Sequence, residues 1–170
     1  MIKIFNKYNV IDWLIKLFQR SKENQIHDFC MDYGSALLTN ILGYSETSEF
    51  LFDNISFYKN ITETLLNLIQ EKVSTQVLMH YLMCLNYLSQ DKFKIIKEEI
   101  QFDAKIQKFE TDYKNNNEID EINKKTVLNL TNVLFHSEKT KNKKFYSDSN
   151  GNIVKTNEPL VFECFKDEIC

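Results

Sequence analysis

The sequence is poor in chain breakers. It has three glycines and one proline in 170 residues. They are Gly34, Gly43, Gly151 and Pro159, so nothing from Tyr44 to Asn150 forces a turn. A stretch that long without either residue predicts mostly helix. Charge of one sign is also lacking: the formal net charge is −3. No global field therefore draws the chain to nucleic acid or to anionic lipid. The apolar runs are too short to span a bilayer. The opening MIKIFNKYNV lacks the apolar core of a signal peptide, and the terminal DEIC puts cysteine last, which is not a prenylation box. The expectation is a soluble, cytoplasmic protein.

Chemistry is sparse too. Cys30, Cys84, Cys164 and Cys170 are irregularly spaced and include no C-x-x-C pair, which predicts free thiols in a reducing compartment. His27, His80 and His136 lack ligand sets. His27–Cys30 and His80–Cys84 are loose approaches to metal spacing, and two ligands do not make a zinc site. A Cys–His nucleophile pair needs a reactive thiolate, and thiols buried in helices are usually inert. Neither G-x-x-x-x-G-K-[ST] nor G-x-G-x-x-G occurs, so nucleotide binding has no support. Glu98 and Glu99 read as a solvated helix face. No catalytic residue, metal site or cofactor is expected.

What is present is helical periodicity. NVIDWLIKLFQR places Val10, Trp13, Leu14, Leu17 and Phe18 on one face, with Asn9 as N-cap. A helix follows over 25–42, with Gly43 past its end as a left-handed C′ residue. The next begins near 45–48 and carries Phe50, Leu51 and Phe52. Residues 60–71 set Ile61, Leu65, Leu68 and Ile69 in register. A nearly all-apolar, and therefore buried, helix runs from Ser74 to about Ser89. Asp91 caps KFKIIKEEI, a lysine-rich amphipathic segment spans 102–113, Asn115 to Asn117 form a loop, and a last helix covers about 118–136.

Three of these helices share an oddity. ALLTNIL at 36–42, LMCLNYL at 82–88 and LNLTNVL at 128–134 each hold an asparagine in an apolar run. Asparagine is a mediocre helix former. Asn40, Asn86 and Asn132 are spaced 46 residues apart. Aligned on them, Leu38, Cys84 and Leu130 coincide, as do Leu42, Leu88 and Leu134, and Thr39 matches Thr131. The period lies within the ~40–47 residues of armadillo and HEAT repeats. Three helical segments per interval favour armadillo. The run ALLTNIL resembles the third helix of an armadillo repeat, with its A-L-x-N-L ending. The resemblance implies that Asn40, Asn86 and Asn132 line an inner ladder that can hydrogen-bond a partner's backbone. Peptide-binding importins carry a tryptophan four residues before that asparagine. Here the positions hold Ala36, Leu82 and Leu128, so recognition of nuclear signals is not implied.

A narrower likeness covers residues 10–134. VIDWLIKLF and DFCMDYGSALLTNIL resemble the armadillo region of the cilium-associated LisH-domain family of armadillo repeat-containing protein 9, chiefly through Asp32, Tyr33, Ser35, Ala36, Leu37, Leu38 and Asn40. That family implies a place at the ciliary base, shaft or tip, close to microtubules. No LisH segment is seen here, so LisH-driven dimerisation is not carried over.

After His136 the character changes. Lys139, Lys141, Lys143 and Lys144 form a basic run that reads either as a solvated linker or as an electrostatic anchor for an acidic surface such as tubulin or nucleic acid. Asn150–Gly151 could seat a tight hairpin turn. Phe145, Tyr146, Phe162 and Phe165 supply apolar anchors that could fold on binding. The expected architecture is an all-α, armadillo-like solenoid of about two and a half three-helix repeats over 1–136. An extended tail, with one short hairpin or docking strand, covers 137–170 and reaches away to a partner. Exposed solenoid ends need capping, and NVIDWLIKLF opens without a polar cap, so one end is expected to dock on another protein. The expected function is a non-catalytic scaffold in a ciliary (axonemal or basal-body) microtubule assembly of the cytoskeleton, with tubulin, axonemal or basal-body proteins as partners and with neither membrane nor nucleic acid. The alternative is a soluble adaptor that binds a linear peptide in its concave groove, unrelated to cilia.

Overall fold

The computed structural model describes residues 9–20, 28–136, 144–147 and 153–156. The described body is all helical. Its helices are α1 (Val10–Arg20), α2 (Asp28–Leu42), α3 (Ser45–Asp53), α4 (Ile55–Leu68), α5 (Thr75–Leu88), α6 (Lys94–Glu99), α7 (Phe102–Asn115) and α8 (Glu121–Thr131). A 3₁₀ turn, Asp91–Phe93, precedes α6, and α8 runs on into a π turn, Asn132–His136.

The helices form two rows. α2, α5 and α8 pack side by side in one, and α1, α4 and α7 in the other. The short α3 leans on α2 and α4, and α6 leans on α7. α5 lies at the centre, against α2, α4 and α8, which is why its sequence is apolar nearly all round. Nine of its fourteen residues are buried. Its start is fixed by Ser74, whose hydroxyl accepts from the Val77 N–H at 3.2 Å. Asp120 caps α8 in the same way through Asn123 N–H, at 2.9 Å. Each cap satisfies an N–H that the first helical turn leaves unpaired.

Aromatic rings join the rows. Tyr58 of α4 stacks on Phe93 with centroids 3.9 Å apart. Its hydroxyl donates to the Leu88 carbonyl at 2.6 Å, which satisfies one of the open carbonyls at the end of α5. Phe18 of α1 meets Tyr81 of α5 edge to face at 5.3 Å.

Several local expectations are corrected. α1 buries Ile11, Leu14, Ile15 and Phe18, while Trp13 is 58% exposed. The packing face is thus rotated toward Ile11 and Ile15, because α1 sits on both α2 and α4. Asn9 precedes α1 but is left-handed, at φ 49°, not extended as a side-chain cap is. Gly43 is not left-handed. α2 ends by tightening: Gly43 N–H donates to Thr39 O and Tyr44 N–H to Ile41 O. α4 starts at Ile55, not 60, so that Tyr58 enters the core. Gln90, not Asp91, is the N-cap residue before the 3₁₀ turn. Asn115 is still helical, and the last helix starts at Glu121. Leu38, Leu42, Cys84, Leu88 and Leu134 are buried as expected, but Leu130 is only half-buried. The helices packed on α8 are α5 and α7, whereas Cys84 at the matching place is enclosed from both sides of its row.

Beyond His136, Lys144–Ser147 (β1) pairs antiparallel with Ile153–Thr156 (β2), from Lys144↔Thr156 to Ser147↔Ile153. The turn expected at Asn150–Gly151 lies outside the described residues. β1 lies against α2, so this part of the tail returns to the helical body rather than reaching away from it.

Leu88 is the most telling core position, since it closes the α5 end beneath Tyr58. Leu88→Ala is expected to cost ~2–5 kcal/mol, a large part of a ~5–15 kcal/mol margin. The half-buried Leu130→Ala should cost clearly less. Urea unfolding midpoints of the two variants test this, and equal losses would contradict the packing described.

Candidate protein-interaction surface

The surface is positioned by the contact between α2 and α5. Four polar side chains meet there, all buried: Ser35, Thr39, His80 and Cys84. Ser35 Oγ is 2.8 Å from His80 Nδ1 and 3.0 Å from Asp32 O. Thr39 Oγ1 donates to Ser35 O at 2.9 Å and lies 3.3 Å from Cys84 Sγ. A hydroxyl has one proton to give. Thr39 Oγ1 also reaches His80 O across the contact, at 3.3 Å, so the Ser35–His80 and Thr39–Cys84 contacts tie the two helices whichever atom of each pair holds the proton. Ser35 faces His80 and Thr39 faces Cys84, so the two helices run parallel and in step, with partners 45 residues apart.

The same offset recurs elsewhere. Gln19 Nε2 of α1 donates to Thr64 Oγ1 of α4 across 45 residues, at 3.0 Å. Lys72 and Glu118, just before α5 and α8, pair across 46 residues at 3.5 Å. Thr131 bonds back to Val127 O at 2.8 Å as Thr39 bonds to Ser35 O. α2, α5 and α8 are therefore equivalent in position, and their starts lie at one end.

Equivalent helices leave equivalent sides uncovered. On α2 the accessible side carries Phe29, Tyr33 and Asn40. On α5 it carries Thr75, Met79 and Asn86, and on α8 Glu121, Lys125 and Asn132. Members of each rung are separated by 46 residues, so the three asparagines lie on one stripe. They differ in setting. Asn40 and Asn86 are half-buried, while Asn132 is exposed where the helix widens into the π turn. Asn40 Oδ1 is shielded from solvent and accepts no hydrogen bond. Phe29 and Tyr33, each 70% exposed, stack with centroids 5.7 Å apart. The stripe thus passes from an aromatic platform at α2, through Met79, to the charged pair Glu121 and Lys125.

No family model, no curated protein and no solved structure matches the chain.

The remaining candidates are placed unevenly. Lys144, Phe145 and Tyr146 form β1 with Ser147. Lys139, Lys141, Lys143, Phe162 and Phe165 lie outside the described residues, as do His27, Cys164 and Cys170. Among the described residues no group of three His, Cys, Asp or Glu could hold a metal ion, and no helix is long and apolar enough to cross a membrane. Burial pushes the Cys84 thiol up to about 12, so it is protonated at neutral pH and its neighbour His80 has no thiolate to serve.

Two features escaped the sequence reading. The Phe29–Tyr33 platform has an i, i+4 signature off the apolar face, which was available. The Ser35–His80 contact had only its 45-residue separation as a signal, and a lone serine and histidine do not announce a pair.

Burial holds His80 down at about 4, against an ordinary 6.5. The unfolded chain takes up this proton near pH 6.5 and the folded chain only near pH 4. Stability from the α2–α5 contact is therefore full above pH 6.5 and is lost as pH falls toward 4. At about 1.4 kcal/mol per pH unit the loss is roughly 3 kcal/mol. Chemical unfolding at pH 7 and pH 4.5 should show that loss in the native chain and much less of it in His80→Gln. An unchanged acid loss in the variant would remove His80 as its source.

Proposed function

We propose that the chain is a non-catalytic interaction scaffold, built as a short armadillo-like solenoid of two three-helix units (α3–α5 and α6–α8) after a partial first one (α1–α2). The observation that carries this reading is the stripe repeated on three parallel, equivalent helices. A partner chain laid across α2, α5 and α8 meets an asparagine amide at each step. Main-chain hydrogen bonds to such a ladder would hold the partner with little regard for its sequence. Side-chain preference would come from the ends, with an apolar anchor at Phe29 and Tyr33 and polar or charged residues near Glu121 and Lys125.

The resemblance of residues 10–134 to the cilium-associated armadillo family supports a structural place in an axonemal or basal-body assembly, with tubulin or its associated proteins as neighbours. The second reading, a soluble adaptor for a linear peptide, is favoured by the aromatic platform, since stacked exposed rings suit one inserted apolar side chain better than a broad protein face.

Two measurements separate these readings. Tagged chain imaged in ciliated cells, with proximity labelling, should mark axonemal or basal-body proteins, and its retention on isolated axonemes should fall with salt as the Debye length shrinks from ~10 Å at 0.1 M to ~3 Å at 1 M. Diffuse staining and no retention would remove the ciliary reading. In either setting Phe29→Ser with Tyr33→Ser should weaken partner retention at least tenfold. The pair is largely exposed, so stability should move by no more than ~0.5 kcal/mol. Undiminished retention would move the binding surface away from the stripe.

A further inference from the structure

Two described residues other than glycine have a positive φ, Asn9 and Gln101. Asparagine visits the left-handed region as single residues, and glutamine does so far less readily. Gln101 sits at φ 56°, ψ 42°, in the short link between α6 and α7. Its N–H donates to Glu98 O at 3.1 Å, and its carbonyl accepts from Lys105 N–H at 3.0 Å. It thus closes one helix and opens the next. That place usually holds glycine, which has no Cβ to clash there. Gln101 is exposed, so burial does not hold it in this conformation. Residues 94–115 contain neither glycine nor proline. With Gln101 in the right-handed region, α6 and α7 become one continuous helix.

The packing decides which part moves when the link straightens. α6 buries no residue, and Ile95 is 81% exposed. The turn before α6 is fixed, since Phe93 is buried and stacked on Tyr58 of α4. The part that swings is therefore α7 with α8. α7 packs on α4, and α8 with its π turn packs on α5. Swinging them out loses the contact of Lys97 Nζ with the Phe102 ring, at 5.4 Å. It also bares Phe102, Ile106, Phe109, Val127 and Leu134, all of them buried in the closed chain. An opened chain regains that burial on one matching surface, the α4–α5 surface of a second opened copy.

We infer that the α6–α7 link is a hinge through which two copies of this chain exchange their α7–α8 pairs. Each copy lends α7 and α8 to the α4–α5 surface of the other. The contacts of α7 and α8 with α4 and α5 are remade between chains, so the closed and exchanged forms differ chiefly at the hinge. There the exchange replaces two left-handed turns by two continuous helices, and a short strained link favours that outcome. Exchange requires no other protein, so it is independent of what the stripe binds.

Sedimentation velocity of the full chain, equilibrated from micromolar to millimolar concentration, should show a monomer and a concentration-dependent dimer. Gln101→Gly relaxes the closed turn and weakens the continuous helix, a shift of about tenfold per chain toward the monomer. A dimer holds two hinges, so its dissociation constant should rise about a hundredfold. Gln101→Ala keeps the Cβ and favours helix, so it should dimerise at least as well as the native chain. Crosslinking then shows which chains are joined. Lys72→Cys and Glu118→Cys lie on opposite sides of the hinge in sequence, where the native side chains pair at 3.5 Å. They are introduced with Cys30→Ser, Cys164→Ser and Cys170→Ser, which leaves only the buried Cys84 besides. A short bis-maleimide should turn the dimer fraction into covalent dimers on a denaturing gel, and the monomer fraction into single crosslinked chains. A native chain that stays monomeric at millimolar concentration would overturn the inference. So would a dimer that Gln101→Gly does not weaken, or one whose chains crosslink only to themselves.

Discussion

The parallel contact of α2 with α5 is what the rest of the molecule depends on. Apolar packing alone would let two helices slide by a turn, since leucine faces leucine at several registers. The buried polar groups remove that freedom. Ser35 must meet His80 and Thr39 must meet Cys84, because a slip of one residue would leave buried donors and acceptors unpaired, at about 1–3 kcal/mol each. Register between the helices in turn sets register between the units. It aligns Asn40 with Asn86, and through α8 with Asn132. The stripe of asparagines is a by-product of that alignment.

The same contact explains why polar residues are tolerated in so apolar a pair of helices. Both hydroxyls can spend their protons on carbonyls of their own helix, a habit of serine and threonine in helices. Their lone pairs are then free to accept from the neighbouring helix. A neutral histidine suits this role, since it can give one proton without carrying a charge into the interior. Burial fixes that neutral form.

The sequence made the row of α2, α5 and α8 legible because a repeat is written into it. Three asparagines at equal spacing, flanked by matched apolar residues, specify three helices of equal standing. What it concealed depended on neighbours. Leu130 matches Leu38 and Cys84 in the alignment, yet burial is set by what lies on both sides of a helix, and α8 packs on α5 and α7. Trp13 shares helical spacing with Leu14 and Leu17, but the side of α1 that packs was decided by the positions of α2 and α4. Gly43 read as a left-handed helix stop, whereas the chain tightens there and continues through Tyr44 into α3. Of the stripe, the asparagines stood out through their equal spacing, while the aromatic platform had only the i, i+4 spacing of Phe29 and Tyr33 off the apolar face as its signal.

The central claim is that α2, α5 and α8 stand side by side, parallel and in step. Pulsed dipolar spectroscopy on spin labels placed by Tyr33→Cys and Lys125→Cys, with Cys30, Cys164 and Cys170 replaced by serine, tests it directly. Both positions are exposed and equivalent on the outer two helices. Two helix spacings predict a single distance near 20 Å, unchanged when both labels are moved one helical turn along, to Leu37 and Asn129. A distance beyond about 30 Å, or one that changes by more than about 5 Å on that move, would mean that the helices are not stacked in parallel, and the stripe would not exist.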